Sequence, residues 1–515
     1  MKARQTIVSG LLVCLLVGFV ALLVTRQRTP HTAPQPVVAV AATSSATVPT
    51  LASASAAAVA AAAPDAGAPD AAADPSAVAS AAATASADSA EPDAGTTPAL
   101  DRPLRVITLG WELAAPGMTA NDGFSPGPKS VFSSAGLDVR IAQADAMAPI
   151  EEALARGGGD EKGADVAIAP LPSFLASYER LRALSPEVFF VVGFSRGREA
   201  LAGSDPLPTG PVKGGVKLAG APGTPATFLG LFVLDVAGVP PSEVHLVAPG
   251  GKDEKEVPYA AIDRATALEE TPSGRKILLT TADASRLVPF VAIAPHGFIT
   301  SHERAAAALA RGWLEGTRKL AADPPGTARQ LAGAEGAPEP LSLLRRLGDV
   351  QPASLADNAR LAGLTGKSAL TLTALFDRGF GLWRGVSTLA MPAPEKAPIA
   401  TSVIASLVRA GGAQPEGEAA AVKPAGEGTK ALVVHRQEKL NEDGLVDTIG
   451  LLAAVFERST LRVSVQPQGL VDGGKTKKVI EAALGKFELA ESRLVVAKKA
   501  GARNAAAVVE VLALP

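Results

Sequence analysis

The sequence predicts an α/β chain with a smaller β-α-β-α-β unit at its C-terminal end. Three observations predict it. From residue 104 onward, short apolar runs rich in Val, Ile and Phe alternate with longer runs of helical spacing. Two stretches poor in large apolar side chains, 29–102 and 410–429, divide the chain. An uninterrupted, charge-free apolar run, Ile7 to Val24, sets the N-terminus apart.

Composition narrows the function. Hydrophobic residues make up 47% of the 515 positions, enough for a sizeable aliphatic core. With 49 Lys+Arg against 51 Asp+Glu, the net charge of −2 argues against polyanion binding, so no nucleic-acid partner is expected. The one cysteine, Cys14, lies inside the apolar run, which excludes an intrachain disulfide or a thiolate cluster. The five histidines (His31, His245, His296, His302 and His435) include no H-x-x-x-H pair, so neither a metal nor a cofactor is expected.

Lys2 and Arg4 precede the apolar run, and Arg26 and Arg28 follow it. Residues 1–28 read as a signal anchor, a single transmembrane helix, with a cleaved signal peptide as the alternative. The free amine adds to the positive count on the N-terminal side and favours that end inside. This reading places the chain at the inner membrane as a single-pass protein with its bulk in the periplasm. Residues 29–102, Ala/Pro/Ser/Asp-rich, read as a disordered tether. A second linker, 410–429, separates the middle part, 103–409, from the tail, 430–515.

In the middle part "LRVITL" reads as a strand, followed by a Gly/Pro-rich loop and a short helix at "PKSVFSSAG". "LDVRIAQ" and "DVAIAP" read as strands, each followed by a helix, "APIEEALARG" and "SFLASYERLRAL". "EVFFVVGF", "VKLAG" and "EVHLVAP" are strands, with the helix "PATFLGLFVLDVAG" between the last two. "YAAIDRATALEE" reads as a helix, "RKILLT" and "FVAIAP" as strands, and the pattern from Ser301 is mostly helical. Alternation of this kind points to mainly parallel sheets covered on both faces.

In open α/β sheets ligands sit beyond the carboxyl ends of strands, where helix N-termini offer free N–H groups. Three places fit. Trp111 and Glu112 follow "RVITL"; Pro170 to Ser173 join a strand to a helix; Gly223 and Thr224 do the same, with Thr227 a turn further on. Each has a plainer reading. Ser173 and Thr224 suit ordinary helix caps, Trp111 suits packing between lobes, and Glu112 suits a solvated position.

The stretch "LRVITLGWELAAPGMTAN…GLDVRIAQADAMAPIEEALARG…ADVAIAPLPSF", continued by "VKLAGAPGTPATFLGLFVLDVAGVPPSEVHLV", "AIDRATALEETP" and "FVAIAPHGFITSHERAAAALARGWLEGTRKLAADP", resembles type II periplasmic binding proteins. The group it resembles binds nitrate, sulfonates, taurine and thiamine precursors. The resemblance covers 103–335 well and 340–409 loosely. It implies two lobes closing on a small ligand with no chemistry on it: lobe 1 at about 103–193 and 286–409, lobe 2 at about 194–285. It places Trp111, Ser173, Gly223 and Thr224 where ligand contacts come, and Asp263 where a helix nears the cleft. It also puts "FSRGREALAGSDPLPTGP" at the hinge and ligand loops.

The tail resembles an OmpA-like peptidoglycan-associating domain, in degenerate form. Asp472 is the only acid in "VSVQPQGLVDGG", and "ARNAAAVVEV" has Ala where an Arg pair is expected, with Arg503 displaced. "GLTGKS" at 363–368 has Leu361 where a phosphate-binding loop needs Gly. The expectation is a membrane-tethered, non-enzymatic substrate-binding protein that takes a small polar or anionic ligand for ABC-type uptake or sensing. Its expected partners are a permease and, through the tail, peptidoglycan or an envelope protein. The alternative is an envelope scaffold with a lapsed cleft.

Overall fold

Fifteen strands form three sheets in the computed structural model, which describes residues 99–251, 254, 256–263, 275–411, 426, 428–499 and 504–513. The expected signal anchor and most of the tether lie outside the described residues. Among those described, no helix is long and apolar enough to cross a membrane.

The first sheet contains β1 (Leu104–Leu109), β2 (Val139–Ala144), β3 (Val166–Pro170), β4 (Pro186–Ser195), β10 (Pro289–Pro295) and β11 (Val350–Pro352), in the order β11-β4-β10-β3-β1-β2. The second contains β5 (Glu199–Gly203), β6 (Val216–Ala219), β7 (Val244–Val247), β8 (Tyr259–Asp263) and β9 (Lys276–Thr280), in the order β7-β6-β8-β5-β9. In the first, β1 runs parallel to β2 and β3, while β10 returns antiparallel between β3 and β4. In the second, β6 runs parallel to β7 and β8, and β5 is antiparallel to β8 and β9. The chain passes between the sheets twice, at 196–198 and at 281–288.

Central strands are buried on both faces. Every residue of β3 is buried, and so are six of the seven in β10, which is why "VAIAP" and "PFVAIA" are continuous apolar runs. Two strands depart from the sequence reading. "YAAID", read as the start of a helix, is β8, held between β6 and β5; its helix-like spacing yields to pairing on both sides. The remainder of that run, 264–270, lies outside the described residues. β5, "EALAG", falls in a segment flanked by Arg, Gly, Ser and Pro that carries loop signals.

The helices that matter below are α1 (Trp111–Asn121), α2 (Leu171–Leu181), α3 (Pro225–Val236), α4 (Glu303–Ala322), α5 (Leu355–Leu361), α6 (Leu372–Gly385), α7 (Glu442–Val455) and α8 (Gly473–Phe487). α1 corrects the loop expected after β1. It holds Pro116 and Gly117, both poor helix formers, yet nearly all of it is buried. Close packing on α4 explains this. A Cβ on Gly117 would stand 2.2 Å from the Trp313 ring, and one on Gly316 would stand 1.9 Å from the Pro116 carbonyl. Two glycines therefore let the helix backbones approach where side chains would separate them.

Lobe 1 is the first sheet with the helices packed on it, lobe 2 is the second with its helices, and α6 lies against helices of both. A Cβ on its Gly379 would stand 2.4 Å from Leu175 of α2 and 3.2 Å from the Phe228 ring of α3. Trp383 donates its indole N–H to the Pro172 carbonyl at 3.0 Å, and its ring centroid lies 6.1 Å from that of Phe228. Tyr178 packs edge-on against Phe376 and Phe380. Aromatic rings thus fill the junction of α6 with α2 and α3.

The third sheet is the tail: β12 (Ala431–Gln437), β13 (Leu461–Val465), β14 (Leu494–Val496) and β15 (Ala507–Leu512), in the order β12-β15-β13-β14, with α7 and α8 in the crossovers. β13 and β14 are parallel, and β15 lies antiparallel between β12 and β13.

Gly316→Val forces apart the most intimate helix pair of lobe 1. A loss of about 3 kcal/mol is expected in urea unfolding, at the upper end of overpacking costs. An unchanged midpoint would show that α1 and α4 are not in contact.

Candidate functional site

Both crossovers carry polar groups through buried surroundings, and those around Thr281 satisfy one another. Thr281 is fully buried; its hydroxyl receives the Gly197 N–H at 2.8 Å and lies 3.0 Å from the Ser195 hydroxyl and 3.0 Å from the Glu199 carboxylate. Ser195 also donates to Glu199. The Thr281 N–H donates to the Glu199 carbonyl at 2.9 Å, and the Ser195 N–H to Val288 at 2.9 Å. Burial pushes the Glu199 carboxyl up from its ordinary range, against the Ser195 hydroxyl, Arg198 and the Thr281 hydroxyl, which favour the anion.

Arg198, between Ser195 and β5, reaches into the space between the sheets. Its Nη1 meets Glu112 in the first turn of α1, and its Nε lies 3.0 Å from Asp263 at the end of β8. One guanidinium therefore spans lobe 1 and lobe 2. Burial alone would lower its pKa, but Glu112 and Asp263 more than offset that and the net shift is upward, so Arg198 stays charged. Glu112 is only 4% exposed, and its Oε2 is buried with no hydrogen-bond donor among the described residues.

The other expected site residues are placed as follows. Trp111 is buried and packs edge-on against Phe124 at 5.3 Å. Its ring lines a cavity of about 350 Å³ with Ile141, Gln143 and Glu335, all of lobe 1, so the indole sits at the β2 edge of that lobe. Pro170 ends β3 and precedes the first residue of α2. Ser173 is buried inside α2 and does not occupy the cap position. Thr224 is the cap of α3: its hydroxyl accepts from Thr227 N–H at 3.3 Å and donates to Ala221 at 2.9 Å. Thr227 is fully buried, its hydroxyl 2.8 Å from that of Thr224. Gly223, at φ 80°, approaches α2 so closely that a Cβ would lie 3.0 Å from that of Ala176.

Glu112 and Asp263 are thus brought together through Arg198, and Gly223 meets the helix that carries Ser173. Thr224 and Thr227 are spent on capping. Sequence reasoning singled out neither Arg198 nor the Ser195–Glu199–Thr281 cluster. The available signal was "SRGRE", an island of charge between two apolar strands. Among the described residues, no group of three or more His, Cys, Asp or Glu could hold a metal ion.

Two expectations follow. Truncating Trp111→Ala removes a buried ring and lowers stability by about 3 kcal/mol or more, read in the same urea titration. A fold of unchanged stability would mean that the indole is solvated. Glu199 binds its proton more tightly folded than unfolded, so its contribution declines as pH rises above the ordinary value of 4.5 towards the raised folded value. Glu199→Gln should remove that decline. Relative to the parent it should gain stability from pH 5 to pH 8, and a constant difference across that range would contradict the shift.

No family model matches the chain, and no curated protein matches it. Solved structures similar to it include the periplasmic aliphatic sulphonate binding protein SsuA from Escherichia coli, at 16% identity over 57% of this chain and 94% of that one, with a TM-score of 0.36. The periplasmic nitrate-binding protein NrtA from Synechocystis PCC 6803 is similar at 13% identity, over 58% and 92%, with a TM-score of 0.37. The alkanesulfonate-binding protein SsuA from Xanthomonas axonopodis pv. citri, bound to MOPS, is similar at 17% identity, over 50% and 89%, with a TM-score of 0.34.

Proposed function

We propose that the chain is a solute-binding protein of the cell envelope. Residues 1–28 hold it at the inner membrane, and 29–102 tether a two-lobed body in the periplasm. The body takes a small polar ligand between its lobes, for delivery to an ABC-type permease or for sensing. The observation that carries this reading is Arg198, shared between Glu112 of lobe 1 and Asp263 of lobe 2 where the strands end. A charged residue bridging two lobes at that point suits a site that opens and closes.

The same cluster narrows the ligand. Two carboxylates face one guanidinium, and the Glu112 Oε2 wants a donor. A ligand that offers N–H or O–H groups satisfies it, whereas a sulfonate or nitrate placed beside Glu112 adds like charge. The tail is read as an OmpA-like unit that no longer grips peptidoglycan. In support, Asp472 is used as a helix cap, its carboxylate accepting the Lys475 N–H at 3.0 Å.

A second reading, a scaffold whose cleft has lapsed, draws on α6. Gly379 lies against both α2 and α3, so parting the lobes exposes apolar surface. Thermal unfolding against amines, amino acids, pyrimidines, sulfonates, nitrate and phosphonates separates the two. A ligand at one hundred times its dissociation constant adds about 2.7 kcal/mol, and amines or amino acids should be the class that does so. A rise with sulfonate or nitrate alone keeps the binding role and rejects the ligand class. A flat response to every compound supports the scaffold.

A further inference from the structure

Among the described residues, the tail touches the body at the second crossover and on both lobes. Arg286, in the second crossover, lies 4.5 Å over the Phe194 ring of β4. Its Nε and Nη2 donate to the two oxygens of Glu457 at 2.6 and 3.3 Å, and its Nη1 lies 3.0 Å from Asp357 of α5. The Arg286 N–H donates to the Val455 carbonyl at 3.3 Å, at the end of α7. A second contact reaches lobe 2, where the His435 ring Nδ1 lies 2.9 Å from the carbonyl of Val236, the last residue of α3. A third reaches lobe 1's trailing helices: Leu451 and Phe487 face Ala374 and Arg378 of α6 across a cavity of about 320 Å³, and Lys367 is 3.8 Å from Glu488.

The turn that offers Glu457 is held from behind. Arg493 is buried and donates to the carbonyls of Ala453, Phe456 and Ser459 at 2.8, 2.7 and 3.2 Å. Those three carbonyls close the C-terminal end of α7 and fix the 456–459 turn. On the other side, Asp357 belongs to a capping box with Ser354, and Asn358 bonds the N–H and carbonyl of Val191 in β4 at 2.7 and 2.9 Å. Arg286 is thus clamped between two rigid pieces, one in the tail and one in lobe 1. Its side chain is 14% exposed and that of Glu457 is 29% exposed, so the forked pair is partly shielded from water and salt.

Lobe opening requires the crossovers to bend. A body fastened to one crossover and to both lobes resists that bend. We infer that the tail is a brace on the hinge: seated on Arg286, on the end of α3 and on α6, it limits how far the two lobes part. The brace acts whatever the cleft binds, and it gives the tail a task that needs no grip on the cell wall.

The test uses the full chain with Cys14→Ala and nitroxides on Ala148→Cys of lobe 1 and Lys217→Cys of lobe 2, both exposed positions. Glu457→Lys reverses the charge that Arg286 meets. Expected are a longer and broader interlobe distance distribution and amide exchange at 281–288 faster by about tenfold, or about 1.4 kcal/mol. Should Glu457→Lys fail to fold, Glu457→Gln keeps the shape and gives a smaller change of the same sign. Lys477→Ala, which breaks an exposed pair with Glu481 within α8, leaves the distribution as in the parent. The inference is overturned if exchange at 455–459 shows the tail released while the interlobe distances stay the same. It is equally overturned if Glu457→Lys changes neither tail nor hinge.

Discussion

The buried hydroxyl of Thr281 joins the two passages of the chain between its sheets. From its place in the second, one side chain meets Gly197 of the first crossover and Ser195 and Glu199 that flank it. Polar groups in such surroundings cost several kcal/mol when unpaired, so the cluster holds the two crossovers in one register. That register sets where Arg198 leaves the chain, three residues beyond Ser195, and where Arg286 leaves it, five beyond Thr281. The first reaches between the lobes and the second reaches the tail. The site and the brace are therefore two outputs of one polar junction.

Two kinds of contact hold the lobes together, and they respond differently to change. α6 contributes apolar packing through Gly379 and Trp383, which is non-directional and insensitive to salt, beside an Arg378 ion pair with Asp235 of α3. Arg198 contributes directed charge contacts, which respond to a competing donor or a new charge. A molecule entering beside Glu112 alters the second kind without touching the first. Small rotations about α6 suit this division better than wide opening, because Leu175 and Phe228 both bear on the same glycine.

Much of the fold was legible because doubly covered strands announce themselves as apolar runs, as in β3 and β10. What was lost has physical causes. α1 was hidden because Pro116 and Gly117 argue against a helix locally, and only Gly316 and Trp313, about two hundred residues away, make room for it. β8 was hidden because "YAAIDRATALEE" has helical spacing and its strand partners are set by the sheet. Within the site, Glu112 was legible as a charge just past a strand end, whereas Asp263 was placed through the resemblance on a helix and stands instead at the end of β8. Arg198 was not, because its partners lie 86 and 65 residues away and nothing in "SRGRE" says which charge turns inward. Trp111 stands just past the end of β1, but its ring turns toward Phe124 and the edge strand.

The claim on which the rest turns is that one guanidinium ties Glu112 of lobe 1 to Asp263 of lobe 2. A double-mutant cycle with Glu112→Gln and Asp263→Asn, followed by urea unfolding, measures this tie. Because both changes act on Arg198, the losses should be non-additive, with a coupling of about 1 kcal/mol. Losses that add to within about 0.3 kcal/mol would mean that the two carboxylates do not share Arg198, and the bridge between the lobes would have to be abandoned.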